Sequence, residues 1–358
     1  MRLYEVEVWS NSGVYIANIS QLAKNRQYSM SRNDAETFSC EIDLQALQRL
    51  AARLGEHPRN LLLPDQMNFR IKRAGEYLFG VQIHESPPDI SPSSESIQVQ
   101  SSGYLNLLKD RTVTANFTAT ESTSIGTGIV TAVQAVTGGN MGITLHASQY
   151  ATGVLRDRTY VREEAKDKLQ RLTNLQDGRF DFKFSPSKVF RTYSELGAVR
   201  SDLRLTLGRN ITHAGFRQIL PRNRIIGLGS GFGANQLISI QDDTASQAGY
   251  YMCEKISQYN SVSVQSTLEQ NVAGELAYYK DLRYIPAITI TGSELPDDFL
   301  TPGDRLWLDL TARQYMDNIL GWYRLERMEV TIDDSDFESA IKLYFDSQFV
   351  DQESGENV

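Results

Sequence analysis

The sequence is poor in the residues that most site chemistries need. It has two cysteines, Cys40 and Cys253, far apart and in no CxxC. That removes a disulfide framework and a thiolate metal site, and it suits a chain folded in a reducing cytoplasm. Four histidines, His57, His84, His146 and His213, are scattered, and none stands at metal-ligand spacing from another His, Cys or carboxylate. There is no GxxxxGK[ST], no GxSxG elbow and no Cys-His signature. No apolar run approaches the ~20 residues of a membrane span. No basic run accompanies the net charge of −8, so the clustered cations of a dedicated nucleic-acid binder are missing. The expectation is therefore no catalytic, cofactor or metal site, no specific nucleic-acid binding and no membrane span. The opening MRLYEVEV enters a strand directly, so no signal peptide is expected.

What is present is an ordinary globular composition, 41% hydrophobic and 22% charged over 358 residues, enough for two or three domains. The clearest pattern is near the C-terminus. Leu306, Leu308 and Leu310 alternate with Trp307 and Asp309, the period of a half-buried strand. Pro302-Gly303-Asp304 is the turn that launches it. In the next strand Met328, Val330 and Ile332 share a face but Leu325 falls on the other, which predicts a β-bulge near Arg327. Ile341, Leu343 and Phe345 form the inner face of a third strand.

The same order appears earlier. Pro64-Asp65 precedes Met67, Phe69 and Ile71. A glycine-led strand carries Phe79, Val81 and Ile83, and after the polar SPPDISPSSES come Ile97 and Val99. Turn, strand, glycine-led strand, polar loop, strand: a fixed order met twice predicts two copies of one unit.

Along the chain, residues 1–44 read as β, with Tyr4, Val6 and Val8, a turn at Asn11-Ser12-Gly13, then Tyr28, Met30, Phe38, Cys40 and Ile42. A helix spans Leu44 to Leu54, stopped by Gly55 and Pro58. Helices are predicted over Ser124–Val136 and Glu163–Leu175, then a hairpin from Phe180 to Tyr193. Residues 203–233 return to β. Thr244 with Gln247, and Ser266 with Glu269, form capping boxes for two further helices, the first running through Ala248, Met252 and Ile256 and placing Cys253 in a helix.

Two stretches invite a site. Gly229, Gly231 and Ala234 formally match GxGxxA, but Gln236 to Ile240 reads as a strand where a dinucleotide site needs a helix. Asp333, Asp334, Asp336 and Glu338 cluster between two strands without EF-hand spacing, as a solvated turn does.

Four segments in this order, GYLNLLKDRTV, FDFKF, NRIIGLGSGFG and PGDRLWL…GWYRLERMEVTID, resemble the tail hub (baseplate hub or tail-tip) proteins of long-tailed bacteriophages. Related hubs occur in contractile phages, gene-transfer agents and injection systems. The resemblance covers nearly the whole chain and rests on order rather than on one diagnostic motif. It implies an α+β, β-dominated fold, with two tail-tube-like β-barrel units interrupted by an α+β domain. The expected divisions are unit I at 1–102, an insertion at 103–200 and 239–282, unit II at 201–238 and 283–349, and a disordered tail at 350–358. Such hubs are homotrimers whose six barrels meet a hexameric tail tube around the DNA channel. The implied partners are the tail tube or distal tail protein above and a tail-tip, central spike or fibre protein below. The implied location is the virion tail tip, after folding in the host cytoplasm. Longer relatives carry a lysin or receptor-binding domain, for which no segment is read here. Two other classes are weighed: a tail-tip peptidoglycan hydrolase, and a carbohydrate-binding tail module exposing some of the 17 tyrosines.

Overall fold

A computed structural model describes residues 3–349 apart from 92–93, 176, 261, 293–298 and 314–318. The predicted tail at 350–358 lies outside the described residues. The fold is α+β and dominated by strands. The first unit contains β1 (Tyr4–Ser10), β2 (Tyr15–Asn18), β3 (Ala23–Ser31) and β4 (Thr37–Asp43). Helix α1 (Leu44–Leu54) follows, then β5 (Met67–Arg73), β6 (Glu76–Glu85), β7 (Pro88–Ser91) and β8 (Ser94–Gly103). The Asp43 carboxylate caps α1 on the Ala46 N–H, and Gly55 ends it with a left-handed φ of 71°.

An inserted body follows, of β9 (Thr112–Glu121), α2 (Ser122–Ala135), β10 (Thr144–Leu145), β11 (Leu155–Glu164), α3 (Ala165–Thr173), β12 (Asp181–Phe184) and β13 (Val189–Tyr193). The chain then returns through β14 (Val199–Thr206) and β15 (His213–Ile219). It leaves again for β16 (Arg224–Leu228), β17 (Ile238–Asp242), α4 (Thr244–Tyr250), β18 (Glu254–Gln258) and α5 (Gln265–Tyr279). It finishes in β19 (Arg283–Ile290), β20 (Arg305–Asp309), β21 (Leu320–Ile332) and β22 (Glu338–Phe349).

The two strand units share one 14-stranded sheet. Within it, the first unit has the neighbour order β1-β5-β6-β8-β4-β3, and the second has β14-β20-β21-β22-β19-β15. Read in chain order, the six strands of one path match the six of the other, with β2 and β7 outside the match. The match holds residue by residue. Phe69 pairs with Val81 as Leu306 pairs with Tyr323, and Ile71 with Phe79 as Leu308 with Gly321. Ile42 pairs with Ile97 as Ile290 pairs with Ile341. The register shift between Ile83 and Glu85 recurs between Leu325 and Arg327, where the phase change in the sequence requires a bulge. Each launching turn ends on the same carbonyl: Asp65 N–H donates to Ile83 and Gly303 N–H to Leu325, both at 2.7 Å. One pairing departs, since β1 and β5 are antiparallel but β14 and β20 are parallel.

Both units bury their inner faces in one continuous apolar core running from Tyr4 through Val99 and from Leu203 through Phe345. The excursions do not join it. Residues 104–190 pack around Ile125, Ile129, Leu169, Phe180, Phe182 and Phe190. Residues 225–276 pack around Ile225, Val262, Leu268, Val272 and Leu276. The expected grouping of 239–282 with 103–200 is thus not a packing unit. Nor does Arg224–Leu228 lie in the second β unit, because it pairs with β17 and β18 in a separate three-stranded sheet.

The helix expected through Ile256 also stops short. Asn223, fully buried, donates its amide to the Tyr251 carbonyl at 2.8 Å and accepts from the Cys253 N–H at 2.7 Å. These bonds hold the chain out of the helix after Tyr250. Cys253 precedes β18, and Ile256 lies in that strand, 63% exposed. The cap is Asp243, which accepts from Ser246 N–H, rather than Thr244. Val264 precedes α5 without a side-chain cap, in place of the expected box at Ser266. Val136 lies beyond α2 and is exposed, and β9 and β11 form a two-stranded arm that the sequence reading did not anticipate.

Candidate functional site

The polar chemistry of the chain concentrates at the seam where the two strand units meet. β21 is long enough to serve two neighbours. Its first half, Leu320–Arg324, pairs with β20, and its second half, Arg327–Ile332, pairs antiparallel with β3 at Ser31–Arg26. The bulge between Leu325 and Arg327 marks the handover.

At one end of the seam lies the acidic cluster. Glu338 is 1% exposed and accepts from Arg73 Nε at 2.7 Å and from the Tyr4 hydroxyl at 2.5 Å. The Tyr4 and Tyr28 oxygens are 2.8 Å apart. Burial, with Tyr28 and Glu338 close by, drives the Tyr4 hydroxyl far above its usual range, so it stays a donor. Asp336 takes Arg26 Nη1 at 2.6 Å and the Tyr4 N–H at 3.0 Å. Asp333 closes its own turn by accepting from the Ser335 and Phe337 N–H groups. Asp336 and Glu338 are therefore a clamp between units, facing Arg26 and Arg73, which sit 310 and 265 residues earlier in the chain, while Asp333 and the exposed Asp334 keep the turn expected. Among the described residues, no group of three or more His, Cys, Asp or Glu side chains converges as a metal site would require.

The other end joins three bodies. Arg32 bonds Glu326 at 2.8 Å, Asp181 at 3.2 Å and Asp346 at 3.0 Å. Arg324 reaches the same Asp181 at 2.7 Å and the Leu196 carbonyl at 2.9 Å. Burial acts to raise the Asp181 carboxyl, but Arg32, the Leu196 N–H and Arg324 outweigh it and hold it below the usual carboxylate range. Nearby, Gly197 and Gly303 cross backbone to backbone with φ of 88° and 106°, and a Cβ on either would fall within 2.3 Å of the other strand. The turn glycine predicted at 303 is needed for this crossing as well as for the turn. Beside the junction Glu36 lines a small cleft with Arg32, Lys183 and Thr301, and burial raises its carboxyl to about 7.

The other sequence candidates are dispersed. Gly227 and Gly229 lie against Val272 and Leu268 of α5, where a Cβ would meet side chains at 2.3 Å and 3.2 Å. Their role is close helix packing, and a strand follows them, so the pyrophosphate geometry is absent there. His57 accepts from the Arg59 N–H at a short helix start, His84 lies between Asp65 and Ser102, and His146 bonds Ser148. His213 opens the edge strand β15. No described helix is long and apolar enough to cross a membrane.

No protein-family model matches the sequence, and no curated protein does either. Solved structures do match. The 43 kDa tail protein of prophage MuSo2 from Shewanella oneidensis superposes with a TM-score of 0.64 at 12% identity, over 96% of this chain and 98% of that one. The fold is that of phage tail proteins. A tail protein from Neisseria meningitidis MC58 gives 0.62 at 13% identity, over 96% of both chains. Prophage tail protein gp18 from Listeria monocytogenes EGD-e gives 0.55 at 9%, over 97% of this chain and 95% of that one. Sharing a tail-protein fold at such identities means that the strand order is kept while nearly every side chain is replaced. The charged clamps of the seam were not singled out by sequence reasoning. The signal available was Arg26, Arg32, Arg73 and Arg324, each a cation inside a strand-dense region, which asks for a buried partner.

Proposed function

We propose that the chain is a structural protein of a phage tail, acting as a homotrimeric hub that adapts a hexameric tail tube to a threefold tip. The observation that carries the reading is the duplicated strand order, matched residue by residue and joined by a built seam. A chain with two equivalent units gives six when three chains close a ring. Each unit would act as a barrel-like segment of a wall around the DNA channel. The tail tube or distal tail protein would sit above, and a spike, fibre or tip protein below. The protein would function in the virion after folding in the host cytoplasm. The net charge of −8 per chain suits a lumen along which DNA moves without being gripped, because phosphate binding needs clustered cations. The titratable groups at the seam are tied to one another across units, which favours a structural role over hydrolysis or glycan binding.

Light scattering tests the reading directly. The expected mass is that of a trimer, alone or mixed with its tube protein, with no clearing of peptidoglycan in zymograms. A monomer under both conditions overturns it.

A further inference from the structure

Where the inserted body lies against the first unit, cations gather without enough carboxylates. On β5, Asn68 and Arg70 share the face turned away from the core, two residues apart, with Gln82 and Gly80 opposite them on β6. Gly80 lets the inserted body approach: a Cβ there would meet the Tyr104 hydroxyl at 2.6 Å and the Pro186 carbonyl at 2.8 Å. Lys188 ends the turn between β12 and β13 with a left-handed φ of 62°. Its side chain turns inward, 6% exposed, with Nζ 3.1 Å from Asn11 Oδ1 and 5.2 Å from the Tyr104 ring centre. Arg70 lies over the Trp9 ring at 3.7 Å. Glu7, opposite Arg70 on β1, gives its oxygens to Lys72 at 2.7 Å, to Tyr77 and to Trp9. Among the described residues, Arg70, Lys72 and Lys188 thus share one carboxylate. Burial, and then the Arg70 charge, holds the Lys188 ammonium down to about 8. Glu36 also acts on Tyr104, but burial raises its own carboxyl to about 7.

Hydrogen bonding is out of balance at the same place. Asn11 donates its amide to the Asp65 carbonyl at 2.6 Å, so its oxygen faces Lys188 and accepts from the Asn68 amide at 2.9 Å. That orientation leaves Asn68 Oδ1 buried without a donor, on a residue 2% exposed. Arg70 Nε is buried without an acceptor. Lys188 uses two of its three N–H groups, on Asn11 and on the Met141 carbonyl. A group that completes this set must bring negative charge, accept from Arg70 and Lys188, and donate to Asn68. Water donates but carries no charge. Chloride and sulfate accept only. Hydrogen phosphate meets all three needs, through its charged oxygens and its P–OH.

We propose that inorganic hydrogen phosphate binds between β5 of the first unit and the β12–β13 turn of the inserted body, held by Arg70, Lys188 and Asn68. Asn11 is exposed and Arg70 only half-buried, which gives an ion in solution a way in. The bound ion ties the two bodies together, because its ligands come from both. A phosphodiester has no P–OH to donate to Asn68, so DNA is not the ligand. Every group belongs to one chain, so the site is independent of the hub reading.

Calorimetric titration of the full chain with inorganic phosphate, near neutral pH and at fixed ionic strength, tests the site. Saturable binding of one phosphate per chain is expected, with a matching change in the phosphorus NMR signal. Phosphate should raise Tm by several degrees and slow hydrogen exchange over residues 185–189. Sulfate, chloride and a short DNA duplex should bind at least tenfold more weakly. Arg70→Met and Lys188→Met should each weaken phosphate binding at least tenfold with an unchanged circular dichroism spectrum. Without phosphate, Lys188→Met should melt no lower than the parent, because it removes a buried charge that lacks a counter-ion. Failure of the parent to bind phosphate saturably overturns the site. Equal stabilisation by chloride or sulfate does the same, as does undiminished binding by both folded variants. Should a variant fail to fold, the parent's preference for phosphate over sulfate and chloride decides the matter alone.

Discussion

Arg73 and Glu338 stand 265 residues apart in the chain and meet in a nearly dry two-point pair, Nε to Oε1 at 2.7 Å and Nη2 to Oε2 at 3.4 Å. The Tyr4 hydroxyl donates to the same carboxylate. The pair ties the end of β5 to the start of β22, so the two strand units cannot part without stranding a charge.

Removing one member of this pair is expected to cost more than removing both. Glu338→Gln or Arg73→Met alone should lower unfolding stability by about 3–5 kcal/mol, because the remaining charge stays buried without a counter-ion. The combined variant should recover a large part of that loss. Urea denaturation of the four proteins in a double-mutant cycle measures the coupling.

Asp181 sets an acid limit. Its carboxyl is held below the ordinary range by Arg32, the Leu196 N–H and Arg324 despite burial. A depressed folded pKa contributes stability above the unfolded value, near 3.8. That contribution disappears as pH falls through the lower folded value. Asp181→Asn should therefore cost about 3 kcal/mol at neutral pH and flatten the final acid limb. Thermal melts between neutral pH and strong acid check both points.

Glu36 works in the opposite direction. Burial raises its carboxyl from 4.5 to about 7, so between those values the folded chain keeps a proton that the unfolded chain has released. Stability then falls as pH rises through this window, by on the order of 3 kcal/mol in all. Glu36→Gln should remove this slope and make the chain relatively more stable at pH 8. The variant's stability against pH, compared with the parent's, decides it.

Asn223 is expected to control the small body around α5. Asn223→Ala removes the side-chain hydrogen bonds to the Tyr251 carbonyl and the Cys253 N–H, a cost of about 0.5–1.5 kcal/mol for each bond. Hydrogen exchange should accelerate between Thr244 and Gln258 and remain unchanged in β3, β4 and β8.

Much of the strand architecture is legible in the residues themselves. Alternation at Leu306–Leu310, Ile341–Phe345 and Phe79–Ile83 assigns the buried face because a strand side chain repeats every second position. The phase slip at Leu325 locates the bulge for the same reason. The α1 boundaries follow from a capping Asp43 and a left-handed Gly55. Where a local signal met a distant partner, the partner won. Ala248, Met252 and Ile256 have helical spacing, but Asn223 captures the backbone between them. Asp336 and Glu338 have the composition of an exposed turn, but Arg26 and Arg73 reach them across the sheet.

The sequence alone determined the faces, the turns and the repeat, since each depends on neighbours a few residues away. Which strand lies beside which was decided only in three dimensions. A backbone ladder bonds any strand to any other, so nothing in Arg327–Ile332 names Arg26–Ser31 as its partner. That choice is made where buried cations meet carboxylates from the far end of the chain, and where one continuous core leaves a single arrangement that covers both units.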